Sequence, residues 1–164
     1  MTLLRLVYFS ENRLGGDDVA RQQQMDGILA ASIANNRRAG ITGAMIHDSR
    51  WIVQVLEGRP QDVMSACLRI RDDPRHRDMV VADTIDTEER RFPYWWMASA
   101  AIEPDMADLV RRHSERDTLD PRGMSGRDLI ALTEAVVSAY TDRTTPRPSL
   151  RAEADAEADA EADA

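Results

Sequence analysis

Residues 32–58 read S-I-A-N-N-R-R-A-G-I-T-G-A-M-I-H-D-S-R-W-I-V-Q-V-L-E-G. Helical spacing stops at the polar cluster Asn35, Asn36, Arg37 and Arg38, and two short apolar runs follow, separated by the polar turn Asp48, Ser49 and Arg50. The expected local structure is a helix end feeding a β-hairpin. In the second run, strand alternation puts Gln54 on one face with Ile52 and Leu56, and turns Trp51, Val53 and Val55 to the other. Gln54 is thus a lone amide among aliphatic side chains. An amide withdrawn from water without a partner costs about 1–3 kcal/mol, so Gln54 requires a specific hydrogen-bonding partner.

Outward from the hairpin, Leu3 to Ser10 alternates as a strand, with Leu4, Leu6 and Tyr8 on one face. Tyr8 therefore points where leucines point. Gly15 and Gly16 turn the chain, and Asp17 or Asp18 caps a helix whose inward positions are Val19, Met25, Ile28, Leu29 and Ser32, with Asn36 one turn further on the same face. After the hairpin, Pro60 opens a second helix carrying Val63, Cys67, Leu68 and Ile70, which ends near Asp72, Asp73, Pro74, Arg75 and His76. Val80 to Thr87 reads as a fourth strand and Tyr94 to Ile102 as a fifth. In the fifth, alternation places Trp95, Met97 and Ser99 on one side and Tyr94, Trp96 and Ala98 on the other.

The order strand, helix, strand, strand, helix, strand, strand predicts an α+β, ferredoxin-like sandwich (βαββαββ), with both helices on one face of the sheet. A loop from Ser114 to Ser125 leads to a helix at about Arg127 to Tyr140, whose stripe Leu129, Leu132, Val136 and Tyr140 needs a surface to cover it. The open face of the sheet, with a second copy completing the assembly, is the expected cover. The predicted organisation is a domain over 1–102, a C-terminal helical cap over 103–143, and a linker with an acidic disordered tail over 144–164.

Composition narrows the function classes. The chain has 164 residues and a net charge of −8, but six of those negative charges sit in the EADA repeats of the last twelve residues, leaving −2 for the rest. No basic surface for nucleic acid follows from that balance. A single cysteine, Cys67, excludes an intrachain disulfide, and three histidines far apart in sequence argue against a structural metal. The run from Leu3 is too short for a secretory signal, and nothing approaches the roughly 20 apolar residues of a membrane span. A soluble, cytoplasmic protein is expected.

Hydrolase triads, a Walker loop and G-x-G-x-x-G have no local signature here. What stands out is a set of polar residues on faces that should be apolar: Tyr8, Ser32, Asn36 and Gln54, with Asn35 at the edge. Each has an ordinary explanation: Tyr8 as core with a locally satisfied hydroxyl, Asn35 and Asn36 as a helix cap, and Trp95, Trp96 and Met97 as packing. Their combination carries more. A first-strand tyrosine, S-x-x-N-N, G-I-T-G-A-M, V-Q-V-L-E-G, D-x-R-H and R-R-F-x-x-W-x-M, in that order, resemble the BLUF family of flavin-binding blue-light sensors. The resemblance covers residues 3 to about 100. More weakly, R-D-T-L-D-P-R-G-M and the helix after it look like the cap of short, single-domain members.

The resemblance implies non-covalent FAD, with FMN or riboflavin able to substitute, its ring between the two helices. Ile28, Ile52 and Leu56 would line the apolar sides, Ser32 and Asn36 the polar edge, and Asn35 the helix end. Asp73, Arg75 and His76 would lie near the pyrimidine side and the ribityl chain. Tyr8 would be the electron and proton donor, Gln54 the switch bridging it to the flavin, and Trp95 and Met97 its neighbours. The altered Gln54 amide would give a small red shift that reverts in darkness. Output would pass to a downstream signalling protein or through a homo-oligomer, without catalytic turnover. Two alternatives stand beside it: a small acylphosphatase-type enzyme, which shares the strand order, and a dimerisation module without ligand.

Overall fold

A computed structural model of the chain describes residues 1–143, and the expected linker and acidic tail over 144–164 lie outside the described residues. The elements are β1 (Leu3–Asn12), α1 (Asp18–Ala39), β2 (Thr42–His47), β3 (Trp51–Gly58), α2 (Pro60–Arg71), β4 (His76–Thr87), β5 (Ala98–Ala101), α3 (Ala107–His113) and α4 (Gly126–Arg143). The strands form one sheet in the order β4-β1-β3-β2-β5. β1 is antiparallel to both β3 and β4, and β2 to β3, while β5 adds parallel to β2. The architecture is α+β and ferredoxin-like with an added strand.

Local chemistry sets the element ends. Asp17 caps α1, its Oδ1 accepting from the Ala20 amide at 2.8 Å. Gly40 ends the helix in the left-handed region at φ 62°, and the amides of Gly40 and Ile41 close back on the carbonyls of Arg37 and Asn36. That is a Schellman ending. The hairpin turn is tied by Asp48, whose Oδ1 accepts from the Arg50 and Trp51 amides at 2.7 Å each. Gly43 lets β2 and β3 close up, since a Cβ there would stand 2.0 Å from the Val55 carbonyl oxygen.

β3 is buried along its whole length because the sheet is covered on both faces. On one face Leu6, Tyr8, Ile52 and Leu56 pack with Met25 and Ile28 of α1 and Val63, Ala66 and Cys67 of α2. On the other, Val7, Phe9, Val53 and Val55 pack with Leu129, Leu132 and Val136 of α4 and Val110 of α3. The C-terminal stripe therefore lies on the open face of the sheet. β3 thus presents its even residues to α1 and α2 and its odd ones to α4.

Several expectations need correction. Val19 is 66 % exposed, Leu68 49 % and Tyr140 39 %, so the covered stripes are shorter than sequence spacing implies. Leu68 is a full 100° step beyond the buried Cys67 and turns outward. The fourth strand starts at His76 rather than Val80, and α3 had no distinct sequence signal. The fifth strand is the largest correction: it spans only Ala98–Ala101. Residues 93–97 are not strand, and the Gly43 amide donates instead to the Trp95 carbonyl at 3.1 Å.

Candidate functional site

At the centre of the helix-covered face, Tyr8 and Gln54 sit opposite one another in the β1–β3 register. Cross-strand partners share a face, so alternation in two separate runs brings these two polar groups together among leucines and isoleucines. Both are almost completely buried. The Tyr8 hydroxyl donates to Gln54 Oε1. Gln54 Nε2 in turn donates to Met97 Sδ at 3.5 Å. The partner that the lone amide required is thus a phenol on one side and a thioether on the other.

Burial, helped by Cys67 and Asp73, pushes the Tyr8 phenol far above the ordinary tyrosine range. Tyr8 is therefore a protonated donor at any working pH. His76 accompanies it, its ring edge-on to the tyrosine at 6.5 Å between centroids and its Nδ1 2.9 Å from Ser10 Oγ. Burial holds the His76 imidazole below its ordinary value against the opposing pull of Asp73.

Beside this pair a cleft of about 230 Å³ opens between α1 and α2. α1 lines it with Ile28, Ala31, Ser32, Asn35 and Asn36, β3 with Gln54, and the α2–β4 connection with Arg69, Ile70, Asp73, Arg75 and His76. The Asn36 backbone closes the helix, while its nearly buried side chain donates from Nδ2 to the Trp96 carbonyl at 2.8 Å. Cap and contact are two roles of one residue. Asn35 Oδ1 accepts from Arg38 at 2.7 Å. Asp73 accepts from both the Arg75 amide, at 3.0 Å, and its guanidinium, at 2.9 Å. That guanidinium holds the Asp73 carboxyl below the usual range, so the Asp73–Arg75 pair stays charged.

The structure thus brings Ile28, Ser32, Asn35, Asn36, Gln54, Asp73, Arg75 and His76 to one cleft, with Tyr8 and Met97 directly behind Gln54. Ile52 and Leu56 lie in the apolar cluster beneath and do not line it. Trp95 goes elsewhere. It packs against the α4-side cluster whereas Met97 joins the helix-side one, because no strand runs through 94–97 to keep them on one face. Sequence reasoning passed over Arg69, Ala31 and Ser10, and took Ile70 for a packing position of α2 rather than a wall of the cleft. Ser10 was within reach, two residues from Tyr8 on the same strand face, but Arg69 on the last turn of α2 carried only an ordinary helix-end signal.

The wall chemistry suits a flat heterocycle with one apolar and one polar edge. Ile28, Ile70 and Ala31 supply the apolar surface, and three amides supply donors and acceptors together. This is a cofactor-binding α+β domain with a buried tyrosine–glutamine relay against the cofactor cleft. The model of the BLUF family, described as sensors of blue-light using FAD, matches residues 3–98, and the chain belongs to that family. It is a blue-light sensor domain that uses FAD. The acylphosphatase-type and ligand-free alternatives give way to it.

Among curated relatives, a photoactivated adenylate cyclase subunit beta of Euglena gracilis is 31% identical over 106 residues, 65% of this chain and 12% of that protein. The chain thus spans about an eighth of that relative's length. Among solved structures, BlrB, a BLUF protein in its dark state, superposes with a TM-score of 0.67 at 30% identity, covering 84% of this chain and 96% of that one. The photo-activated state of BlsA reaches a TM-score of 0.72 at 22% identity, over 82% and 94% of the two chains, a likeness of fold.

The depressed His76 predicts a pH dependence. Unfolded, the imidazole titrates near 6.5, whereas the folded protein resists protonation. As pH falls through about 6.5 the unfolded chain therefore binds the proton first, and stability drops. His47 shifts in the same direction, so the expected outcome is a shallower loss of stability between pH 7.5 and 5 in His76→Gln than in the wild type. Denaturant titrations across that range check it, and parallel profiles would contradict it.

Proposed function

We propose that light switches the chain through Tyr8 and Gln54, with the cleft residues Ile28, Ser32, Asn35, Asn36, Asp73, Arg75 and His76 holding the cofactor, and Ile52 and Leu56 backing its apolar side. The observation that carries this reading is the Tyr8 hydroxyl on Gln54 Oε1, both buried, against the cleft. At about 230 Å³ the cleft is below the roughly 300–1,000 Å³ of sites that enclose a whole drug-sized ligand, so it suits the flavin ring, with the dinucleotide extending outward. Arg75 is already neutralised by Asp73, so the exposed Arg69 is the cation better placed to meet the phosphates. FMN or riboflavin would keep the ring contacts.

Bound FAD supplies blue-light absorption and, once excited, a strong electron acceptor. Tyr8 is the donor. Its burial makes a phenolate inaccessible, so its proton leaves only together with the electron, and Gln54 Oε1 is the acceptor already in contact. The Gln54 amide then changes tautomer or rotamer, and its bond to Met97 must break or be remade. Met97 is placed to sense this directly, whereas Trp95, on the α4 side, acts as a packing residue rather than a chromophore neighbour.

Residues 1–102 form the sensor and 103–143 its cap in this proposal, and the output is conformational rather than catalytic. The protein works in the cytoplasm, without membrane or direct nucleic-acid partners; among the described residues no helix is long and apolar enough to cross a membrane. The signal reaches a downstream protein, as in relatives whose names join photoactivation to adenylate cyclase, and through a homo-oligomer. Met64 and Leu68, one turn apart on α2 and both half exposed, support self-association, as do the exposed Val80 and Val81 on edge strand β4.

FAD-loaded Gln54→Leu should stay yellow and show no reversible red shift under blue light, while the wild type shows one. A red-shifted state in Gln54→Leu would reject Gln54 as the switch. Sedimentation of the full chain should give a dimer or larger species, and a monomer at all concentrations would reject the oligomer.

A further inference from the structure

Glu57 is the next-to-last residue of the strand that carries Gln54, and it is fully buried. Both of its oxygens are spoken for. Arg5 Nε donates to Oε1 at 2.5 Å, the Arg91 amide lies 2.9 Å from both oxygens, and the Phe92 amide donates to Oε2 at 2.9 Å. Arg90 reinforces the same point, its guanidinium reaching the Glu57 carbonyl at 2.6 Å, Thr42 Oγ1 at 2.8 Å and the Gly40 carbonyl at 2.8 Å. The start of the segment 91–97 is therefore pinned to β3, β2 and the end of α1. Its other end touches the relay, with the Trp96 carbonyl accepting from Asn36 and the Met97 sulfur from Gln54.

Between the two ends the segment has little slack. Pro93 fixes one φ, Phe92 is buried in the α4-side cluster, and Trp95 packs against it. A buried ion pair is weak support for stability, because an apolar replacement of similar volume often does as well. What a carboxylate accepting two consecutive backbone amides does supply is position. We propose that Glu57 is a positioning residue for the photoswitch: by fixing the start of segment 91–97 it sets where the Met97 sulfur meets Gln54, and so governs how fast the switched amide returns in darkness. The proposal rests on the Tyr8–Gln54 reading above. The return ends with Gln54 Nε2 on the Met97 sulfur, so a loosened segment withdraws that contact and slows it.

The test uses the full-length, FAD-loaded protein and follows dark recovery of the red-shifted absorbance after a blue pulse. Glu57→Gln keeps the volume but turns an amide NH2 toward backbone N–H donors. Arg90→Met releases the same segment without touching the buried carboxylate, and serves if Glu57→Gln fails to fold. Each flavin-loaded variant should form the red shift and recover at least about threefold more slowly, within reach of one lost hydrogen bond. Adding Met97→Leu to either should slow it no further than Met97→Leu alone. A purely structural role would alter flavin retention or melting but leave recovery of the loaded fraction unchanged. Recovery within about threefold of wild type in a loaded variant, or slowing that adds to that of Met97→Leu, would overturn the proposal. Absence of any red shift in the wild type would instead reject the Tyr8–Gln54 reading, and this proposal with it.

Discussion

The hydrogen bond between Tyr8 and Gln54 is the constraint that the rest of the structure serves. A phenol and an amide have been taken out of water onto one face of a sheet, and each would cost about 1–3 kcal/mol if left unpaired. They are opposite one another in register, so the phenolic proton and the amide oxygen satisfy each other, and Met97 takes one of the two amide hydrogens. A one-residue slip between β1 and β3 would turn one of them to the α4 face and leave both unpaired. Gly43, which lets β2 close on β3, and the Asp48 turn fix the neighbouring β2–β3 register on the other side of Gln54.

The same strand connects the two halves of the molecule. Because β3 is covered on both faces, Gln54 looks toward the cleft while Val53 and Val55 look toward α4. A rearrangement at Gln54 therefore happens one residue away from the surface on which α4 rests. Segment 91–97 gives a second link, since Phe92 and Trp95 belong to the α4-side core and Met97 to the cofactor side. The Arg91 guanidinium also reaches Glu134 of α4 at 2.7 Å, although an exposed pair of this kind contributes only about 0–1 kcal/mol. Packing, rather than that ion pair, is what joins the relay to the helix.

Much of this was legible in residue order. Alternation alone placed Tyr8 and Gln54 on the helix-covered face, and helical spacing carried Ser32 and Asn36 to the cleft. The stripe on α4 announced that the second face of the sheet would be covered. Periodicity failed where backbone geometry changed between elements. Trp95 and Met97, two apart, share a face only in a continuous strand, and the chain at 93–97 is not one. Glu57 was missed for a related reason: beside the Arg5 guanidinium, its partners are backbone amides 34 and 35 residues away, which leave no side-chain signature. Arg69 likewise reaches the cleft only because α2 ends beside it.

The central claim is that Tyr8 acts through its hydroxyl, and Tyr8→Phe isolates that group. The ring keeps its packing beside Leu6, so folding and flavin retention should fall by no more than the roughly 0.5–1.5 kcal/mol of one hydrogen bond. Phenylalanine is a far poorer electron donor and has no phenolic proton to give to Gln54 Oε1. The deciding measurement is the light-minus-dark absorption spectrum of FAD-loaded Tyr8→Phe. The account predicts a yellow protein with no reversible red shift, and a normal red-shifted state that recovers in darkness would contradict it.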